Sequence, residues 1–261
     1  MATAVEPVGR LLREWRQRRH LSQLDLACDA EISTRHLSFI ETGRSSPSRD
    51  MVLRLAERLE VPLRARNTLL TAAGFAPMFP ERPLGDPALE AARVAIARLL
   101  AAHEPFPALA VDRHWTLLAS NSAATRLMGG IDPALLTPPI NVLRVSLHPN
   151  GLASRILNLQ DWRAHVLARL RRQVEVSADP VLRELATELA AYPSPGSAEP
   201  TAPQNDVIVP LRLATEAGVL SFLSTTTIFG TPVDVTLSEI ALESFFPADE
   251  ATAIALRRAQ V

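Results

Sequence analysis

The sequence predicts an α+β chain in two parts. Residues 1–75 read as an all-α domain of five helices, residues 76–87 as a linker, and residues 88–261 as an α+β domain built on an antiparallel five-stranded sheet. Three observations predict it. Before Gly74, apolar residues recur three and four apart behind Ser and Pro start signals. The stretch GFAPMFPERPLGDP, Gly74 to Pro87, is rich in Pro and Gly and has no period. After it, short runs rich in β-branched residues, bounded by turn signals, accompany further helical stretches.

With 261 residues, 47% of them apolar, the chain can bury a sizeable core, and its length suits two modest domains. Charge divides unevenly between them. Through Phe75 twelve Arg face nine acids, and from Ala76 fifteen Arg face nineteen, so +3 gives way to −4 within a total of −1. That near-neutral total excludes a nonspecific coat for nucleic acid; affinity for DNA would need a dimer with specific contacts. No run approaches the ~18 apolar residues needed to cross a bilayer. Met1 is followed by Ala, Thr and the acidic Glu6 rather than a basic-then-apolar signal, so no membrane span and a cytoplasmic location are expected. Cys28 is the only cysteine, which forbids a disulfide within the chain and agrees with a reducing compartment; beside Ala27 it reads as a small apolar filler.

Element by element, Leu12 and Trp15 make the core face of the first helix. Ser22 caps a second helix, Gln23 to Asp29, with Leu24, Leu26, Ala27 and Ala30 on its buried side. Ala30-Glu31-Ile32 is the turn. Ser33 then caps a third helix whose Leu37 and Ile40, three apart, point inward and leave Thr34, Arg35, Ser38 and Phe39 facing out, although Phe39 would also suit the core. Gly43 closes that helix in the left-handed conformation. Pro47 and Ser48 introduce a fourth, with Val52, Leu55, Ala56 and Leu59 as its core stripe, and Val61-Pro62 stops it. Arg64 to Ala73 makes the fifth, ending at Gly74.

Two short helices joined by a tight turn, the second with a small polar outer face, have the layout that lays a helix into the major groove of double-stranded DNA. Arg forks onto the two acceptors of guanine, and the carbons of Thr and Phe suit the thymine methyl, so Thr34, Arg35, Ser38 and Phe39 are the candidate base contacts. Gln23, Arg44, Ser46 and Arg49 are placed to hold phosphates beside the groove. A homodimer on a palindromic operator would set two such helices ~34 Å apart. The stretch LREWRQRRHLSQLDLACDAEISTRHLSFIETGRSSPSRDMVLRLAERLEVP resembles the lambda-repressor-like, Xre-type helix-turn-helix family, over roughly Val8 to Phe75. The resemblance implies an ion pair between Glu41 and Arg16 and a phosphate contact for Gln23.

In the second part, Ala88 to Ala102 is an amphipathic helix with Leu89, Ala92, Ile96, Leu99 and Leu100 on one side. Ala108 to Val111 and Trp115 to Ser120 flank Asp112-Arg113-His114 as a hairpin, and Asn121 caps the helix Ser122 to Met128. Strand, turn, strand, Asn, helix is the opening of a PAS-type domain. Trp162 to Val176 and Pro180 to Ala191 have helical spacing, and Tyr192 to Asp206 is a Pro- and Ser-rich loop. Val207 to Leu213, Val219 to Ile228 and Thr236 to Phe245 supply three more strands, with turns at Glu216-Ala217-Gly218 and Phe229-Gly230-Thr231-Pro232. Ala248 to Ala259 closes the chain as a helix with Asp249 and Glu250 at its start and Arg257 and Arg258 at its end.

Along Val219 to Ile228, Leu220, Phe222 and Ser224 share one face and Leu223 and Thr225 the other. Phe222, Trp115 and Trp162 are candidate walls of a ligand cavity, although such residues are more often plain core, and Arg144, His148 and Arg155 are candidate partners for an acidic ligand. PALAVDRHWTLLASNSAA, NVLRVSLHP, DWRAHVLARLRRQ, VPLRL and LSFLSTTTIFGTPVDVTLSEIALESFFP resemble the MmyB-like ligand-binding domain found behind Xre-type readers in bacteria, over roughly Phe106 to Pro247. What this resemblance implies is a PAS-like fold with an apolar cavity for a fatty-acyl or similar lipophilic ligand, in a transcription regulator without other cofactor. An enzyme, metal site, or redox or light sensor has little in its favour. His103, His114, His148 and His165 lack a paired metal spacing, and there is no cysteine placed for a flavin adduct, no phosphate-cradling Gly loop and no GxSxG elbow. The alternative that stays open is a C-terminal domain that only dimerises or docks another protein.

Overall fold

The computed structural model describes residues 6–193, 209–216, 218–230 and 234–258. Most of the Pro- and Ser-rich loop, Val207 at the start of one predicted strand, Ala217, Thr231 and Pro232 of the two predicted turns, and Ala259 lie outside the described residues. The chain divides into two compact units whose main boundary in sequence falls between Pro83 and Leu84.

The first unit opens with five helices, α1 (Val8–Arg18), α2 (Gln23–Asp29), α3 (Thr34–Glu41), α4 (Arg49–Arg58) and α5 (Leu63–Ala72). Three of them start where a serine ends the preceding turn: the hydroxyls of Ser22, Ser33 and Ser48 accept the amides of Asp25, His36 and Met51. At α2 the cap is reciprocal, because the Asp25 carboxylate also accepts the Ser22 amide at 2.9 Å. Those bonds hold the exposed Asp25 carboxyl below its ordinary range. Leu12, Leu26, Leu37, Leu55, Leu59 and Leu70 are fully buried at the centre.

Two expectations for α2 fail for one reason. Leu26, Ala27 and Ala30 are buried, but Leu24 is 60% exposed and Cys28 is exposed as well. At 100° per residue Leu24 and Cys28 share one face, nearly opposite Leu26, so a seven-residue helix that buries Leu26 must turn both outward. Cys28 is therefore no core filler. The segment read as linker begins differently too: Asn67 on α5 accepts the amides of Met78 and Phe79 at 3.0 Å each and donates to the Phe79 carbonyl at 2.7 Å, holding that stretch on the first unit.

The second unit begins with a 3₁₀ turn, Pro87–Leu89, that runs into α6 (Glu90–Ala102). Leu89, Ile96 and Leu100 are buried there, whereas Leu99, predicted on the same side, lies at the rim of that face and is half exposed. Then come in chain order β1 (Ala108–Val111), β2 (Leu117–Ser120), α7 (Ser122–Leu127), α8 (Val142–Leu147), α9 (Leu159–Ser177), α10 (Pro180–Ala191), β3 (Leu211–Thr215), β4 (Gly218–Ile228), α11 (Val235–Ser238), which groups with the first unit, β5 (Ala241–Pro247) and α12 (Glu250–Arg258). The five strands form one antiparallel sheet in the order β2-β1-β5-β4-β3, with the register Phe222 opposite Leu211 and Pro247, and Leu109 opposite Glu243. That order, with the helices inserted between the second and third strands, is PAS-like.

Three strands begin later than their composition suggests, β3 at Leu211 with Val209 and Pro210 outside it, Pro210 having no amide hydrogen to give a ladder. Trp115 sits in a turn instead of a strand: the Asp112 carboxylate accepts the amides of His114 and Thr116 at 2.8 Å each, and Trp115 takes φ +66°. Thr236 lies in α11, not in a strand, because Asp234 accepts the amides of Thr236 and Leu237 and caps one helical turn ahead of β5.

Asn121 ties this unit's opening together. Its side-chain carbonyl accepts the amides of Ala124, starting α7, and of Ala108, starting β1, while its amide donates to the carbonyls of Phe106 at 2.7 Å and Leu100 at 3.3 Å. Replacing it strands four buried backbone groups. Asn121→Ala is expected to lower the stability of the C-terminal domain by ~1–3 kcal/mol, read as a shift in its denaturation midpoint with the slope unchanged.

Candidate functional site

The polar face of α3 is set by what lies behind it. Glu41, the last residue of α3, has a side chain 1% exposed. Arg16 on α1 grips it in two places, Nε to Oε1 at 2.7 Å and Nη2 to Oε2 at 2.9 Å, and donates from Nη1 to the Leu21 carbonyl at 2.8 Å. Gln23, the first residue of α2, adds a third bond from Nε2 to Glu41 Oε2 at 2.8 Å. One carboxylate thus joins three helices. The hydrogen bonds that Glu41 accepts, opposed by burial, raise the Arg16 pKa above its ordinary value. At the other end of α1, Gly9 lies so close to α3 that a Cβ there would stand 2.1 Å from the Ile40 carbonyl oxygen, so only glycine permits this approach.

With Leu37 and Ile40 buried, Arg35 is exposed and Thr34, Ser38 and Phe39 are half-buried on the outer side. The Phe39 ring lies between two guanidiniums, those of Arg35 at 5.3 Å and Arg44 at 5.9 Å from its centroid. Gly43, at φ +72°, ends α3 and turns the chain so that Arg44 follows on this side. Arg44, Ser46 and Arg49 are exposed. Gln23 is not a free surface group, since one of its amide hydrogens is engaged with Glu41.

The second unit encloses a cavity of about 100 Å³ between the sheet and helices α7, α8 and α9. Its walls are chiefly apolar, including Leu109, Leu127, Val142, Leu213 and Phe245, and both Trp115 and Trp162 line it. Phe222 does not: it is fully buried beside the cavity, edge-on to Phe245 at 6.3 Å. The three basic residues expected at the cavity lie elsewhere, each held by groups of its own. Arg144 is paired with Glu188 through bonds of 2.8 and 2.7 Å, which raise its pKa and lower that of Glu188. Arg155 donates to the carbonyls of Leu127, Gly129 and Ala214. His148 accepts the Asn150 amide and packs edge-on against Tyr192, whose hydroxyl is pushed up to about 12 by burial and by its bond to Glu188.

Charged and titratable groups at the cavity come instead from α9 and β5, with Ser146 of α8 and Ser224 of β4 adding hydroxyls. Arg169 spans Glu243 with bonds of 2.9 and 2.6 Å and lies over the Trp115 ring at 4.5 Å. His165 stacks on Trp162 at 5.5 Å, and the Trp162 indole donates to Ser146 at 2.9 Å. Burial first, and then the charges of Arg169 and Arg172, lower the His165 pKa and keep its ring neutral. Trp162, His165, Val166 and Arg169 recur at helical spacing, so one stripe of α9 supplies all four to the cavity. That spacing was the signal in the sequence.

The model for the MmyB-like transcription regulator ligand binding domain matches residues 92–259, and that for a helix-turn-helix domain matches residues 7–69. The chain belongs to the MmyB-like transcription regulators. It carries a helix-turn-helix DNA-binding domain followed by that family's ligand-binding domain. No curated protein matches the sequence. Among solved structures, an RNA-binding light-oxygen-voltage receptor is similar at 15% identity and a TM-score of 0.25, covering 97% of this chain. The chain spans 63% of that receptor's length. Among the described residues no helix is long and apolar enough to cross a membrane.

Two outcomes follow for these sites. Arg16→Met leaves Glu41 charged and buried without its partner, which typically costs ~3–5 kcal/mol; the helix-turn-helix domain should unfold at a much lower temperature while the transition of the C-terminal domain is unmoved, as seen by calorimetry. For His165, a depressed folded pKa means that the unfolded chain binds the proton first, so stability is constant above the ordinary histidine value of ~6.5 and falls as pH drops below it. His165→Gln should flatten the decline of the C-terminal melting temperature between pH 7 and 5.

Proposed function

We propose that this MmyB-like regulator is a cytoplasmic, sequence-specific DNA-binding protein, not an enzyme, that acts as a homodimer on a palindromic operator and responds to a small lipophilic ligand held in its C-terminal domain. The observation that carries the DNA side is the outer surface of α3. Thr34, Arg35 and Ser38 lie on a helix whose carboxyl end is locked by Glu41, and the Arg35 and Arg44 guanidiniums flank one aromatic ring. In this reading Thr34, Arg35, Ser38 and Phe39 meet base edges, with Arg35 on a guanine and Phe39 both steadying the two arginines and covering a thymine methyl. Arg44, Ser46, Arg49 and the remaining amide hydrogen of Gln23 hold phosphates and set register. The apolar lining by Leu109, Leu127, Val142, Leu213, Phe245, Trp115 and Trp162 supports a lipophilic ligand. Ligand binding then changes operator affinity through differential binding to two arrangements of the dimer.

Base reading and phosphate holding separate by mutation. Arg35→Ala should lower affinity for the operator by ~1–3 kcal/mol and relax specificity at one base position, with binding to random duplex hardly altered. Arg44→Ala should weaken binding to every duplex and reduce the slope of log K against log salt by about 1. Fluorescence anisotropy at several salt concentrations measures both. Unchanged operator binding by Arg35→Ala would remove that residue from the interface.

A further inference from the structure

We infer that the cavity of the C-terminal domain selects compact, uncharged molecules carrying a hydrogen-bonding oxygen, short-chain alcohols, esters or lactones, and rejects the corresponding free carboxylates. The inference rests on the cavity being the ligand site. Among the described residues Arg169 is the one arginine in its lining, and its charge is already neutralised. Both terminal nitrogens go to the two oxygens of Glu243, at 2.9 and 2.6 Å, and Nη2 also reaches the Thr226 hydroxyl at 2.6 Å. The hydroxyl in turn donates to Glu243 Oε1 at 2.9 Å. One face of the guanidinium covers Trp115 at 4.5 Å. Glu243, with a side chain 5% exposed, is a fixed negative charge in the wall.

A carboxylate entering this cavity would give up its hydration and meet a cation that is already bidentately paired, next to a carboxylate of its own sign. An ammonium ligand fares no better, because Glu243 is taken up by Arg169. An uncharged oxygen meets suitable partners. The His165 ring nitrogens and the Ser224 hydroxyl line the cavity without a hydrogen-bond partner among the described residues, and the Ser146 hydroxyl, which accepts from Trp162, keeps a proton to donate. A neutral His165 offers one donor and one acceptor, and burial and its arginine neighbours favour that form. Size points the same way. At about 100 Å³ the cavity is smaller than the ~150 Å³ that holds a benzene ring, so a short or compact ligand is the fit.

The test compares 1-butanol with butanoate, two probes of equal chain length and small enough for the cavity, on the full-length protein at pH 7.5. Two of its three tryptophans, Trp115 and Trp162, line the cavity, so intrinsic fluorescence reads occupancy, and calorimetry confirms it. Butanol is expected to bind at least tenfold more tightly than butanoate. Glu243→Gln, which keeps the shape and frees the arginine charge, should raise butanoate affinity at least tenfold with little change for butanol. Butanoate binding to the natural protein as tightly as butanol overturns the charge selectivity while leaving the cavity as a ligand site. No binding of either probe overturns both. The comparison on the natural protein decides the question even if Glu243→Gln fails to fold.

Discussion

The placement of α3 depends on the buried carboxylate of Glu41. It receives three N–H bonds, two from Arg16 and one from Gln23, and these come from the two helices against which α3 is set. Burying a charge is costly unless it is paired and its hydrogen-bonding capacity is met, and here the residues that meet it lie 25 and 18 positions away in sequence. The bonds form only when the three helices are correctly assembled, so the network acts as a check on geometry as well as a source of stability. Gly9 admits the same approach from the other end of α1. With its carboxyl end held, α3 turns Leu37 and Ile40 into the core, and the exposed Arg35 side is what remains for a partner.

The C-terminal unit repeats this logic with a different outcome. Arg169 and Glu243 also form a bidentate pair, half-buried at the arginine and buried at the glutamate, joining α9 to the central strand β5. In the helix-turn-helix domain the pair is sealed within the helices; here it forms part of a cavity wall, so the charges govern what can enter. Trp115 shows how strongly the surroundings define that wall. Its positive φ, a conformation costing ~1–3 kcal/mol for such a residue, is held by the Asp112 turn, by its indole bond to Gln173 at 2.8 Å and by the guanidinium over its ring.

Much of the fold was legible because local chemistry and global structure agree. Ser22, Ser33, Ser48 and Asn121 each cap the helix that follows, and Pro180 to Ala191 is helical to the residue. Disagreement arose where two apolar faces compete in a short helix, as at Leu24 and Cys28, or where one side chain overrules a run of β-branched residues, as Asp234 does ahead of Thr236. The DNA-facing candidates could be named because a recognition surface is confined to one helix. The cavity's polar residues could not: Arg169 and Glu243 are separated by 74 positions, and neither sequence neighbourhood shows that the other will neutralise it. Arg144, Arg155 and His148 were nearer to apolar segments in sequence, but in the fold Glu188, backbone carbonyls and Tyr192 hold them.

Selection of duplexes from a random pool by the purified full-length protein, at moderate salt and with and without 1-butanol, tests most directly whether the surface around Thr34 and Arg35 reads DNA. The expected result is enrichment of an inverted repeat whose half-site centres lie about 10–10.5 base pairs apart, one helical turn, with a guanine among the most constrained positions. Retention of random duplex as strongly as of the selected pool, in both conditions, would contradict it.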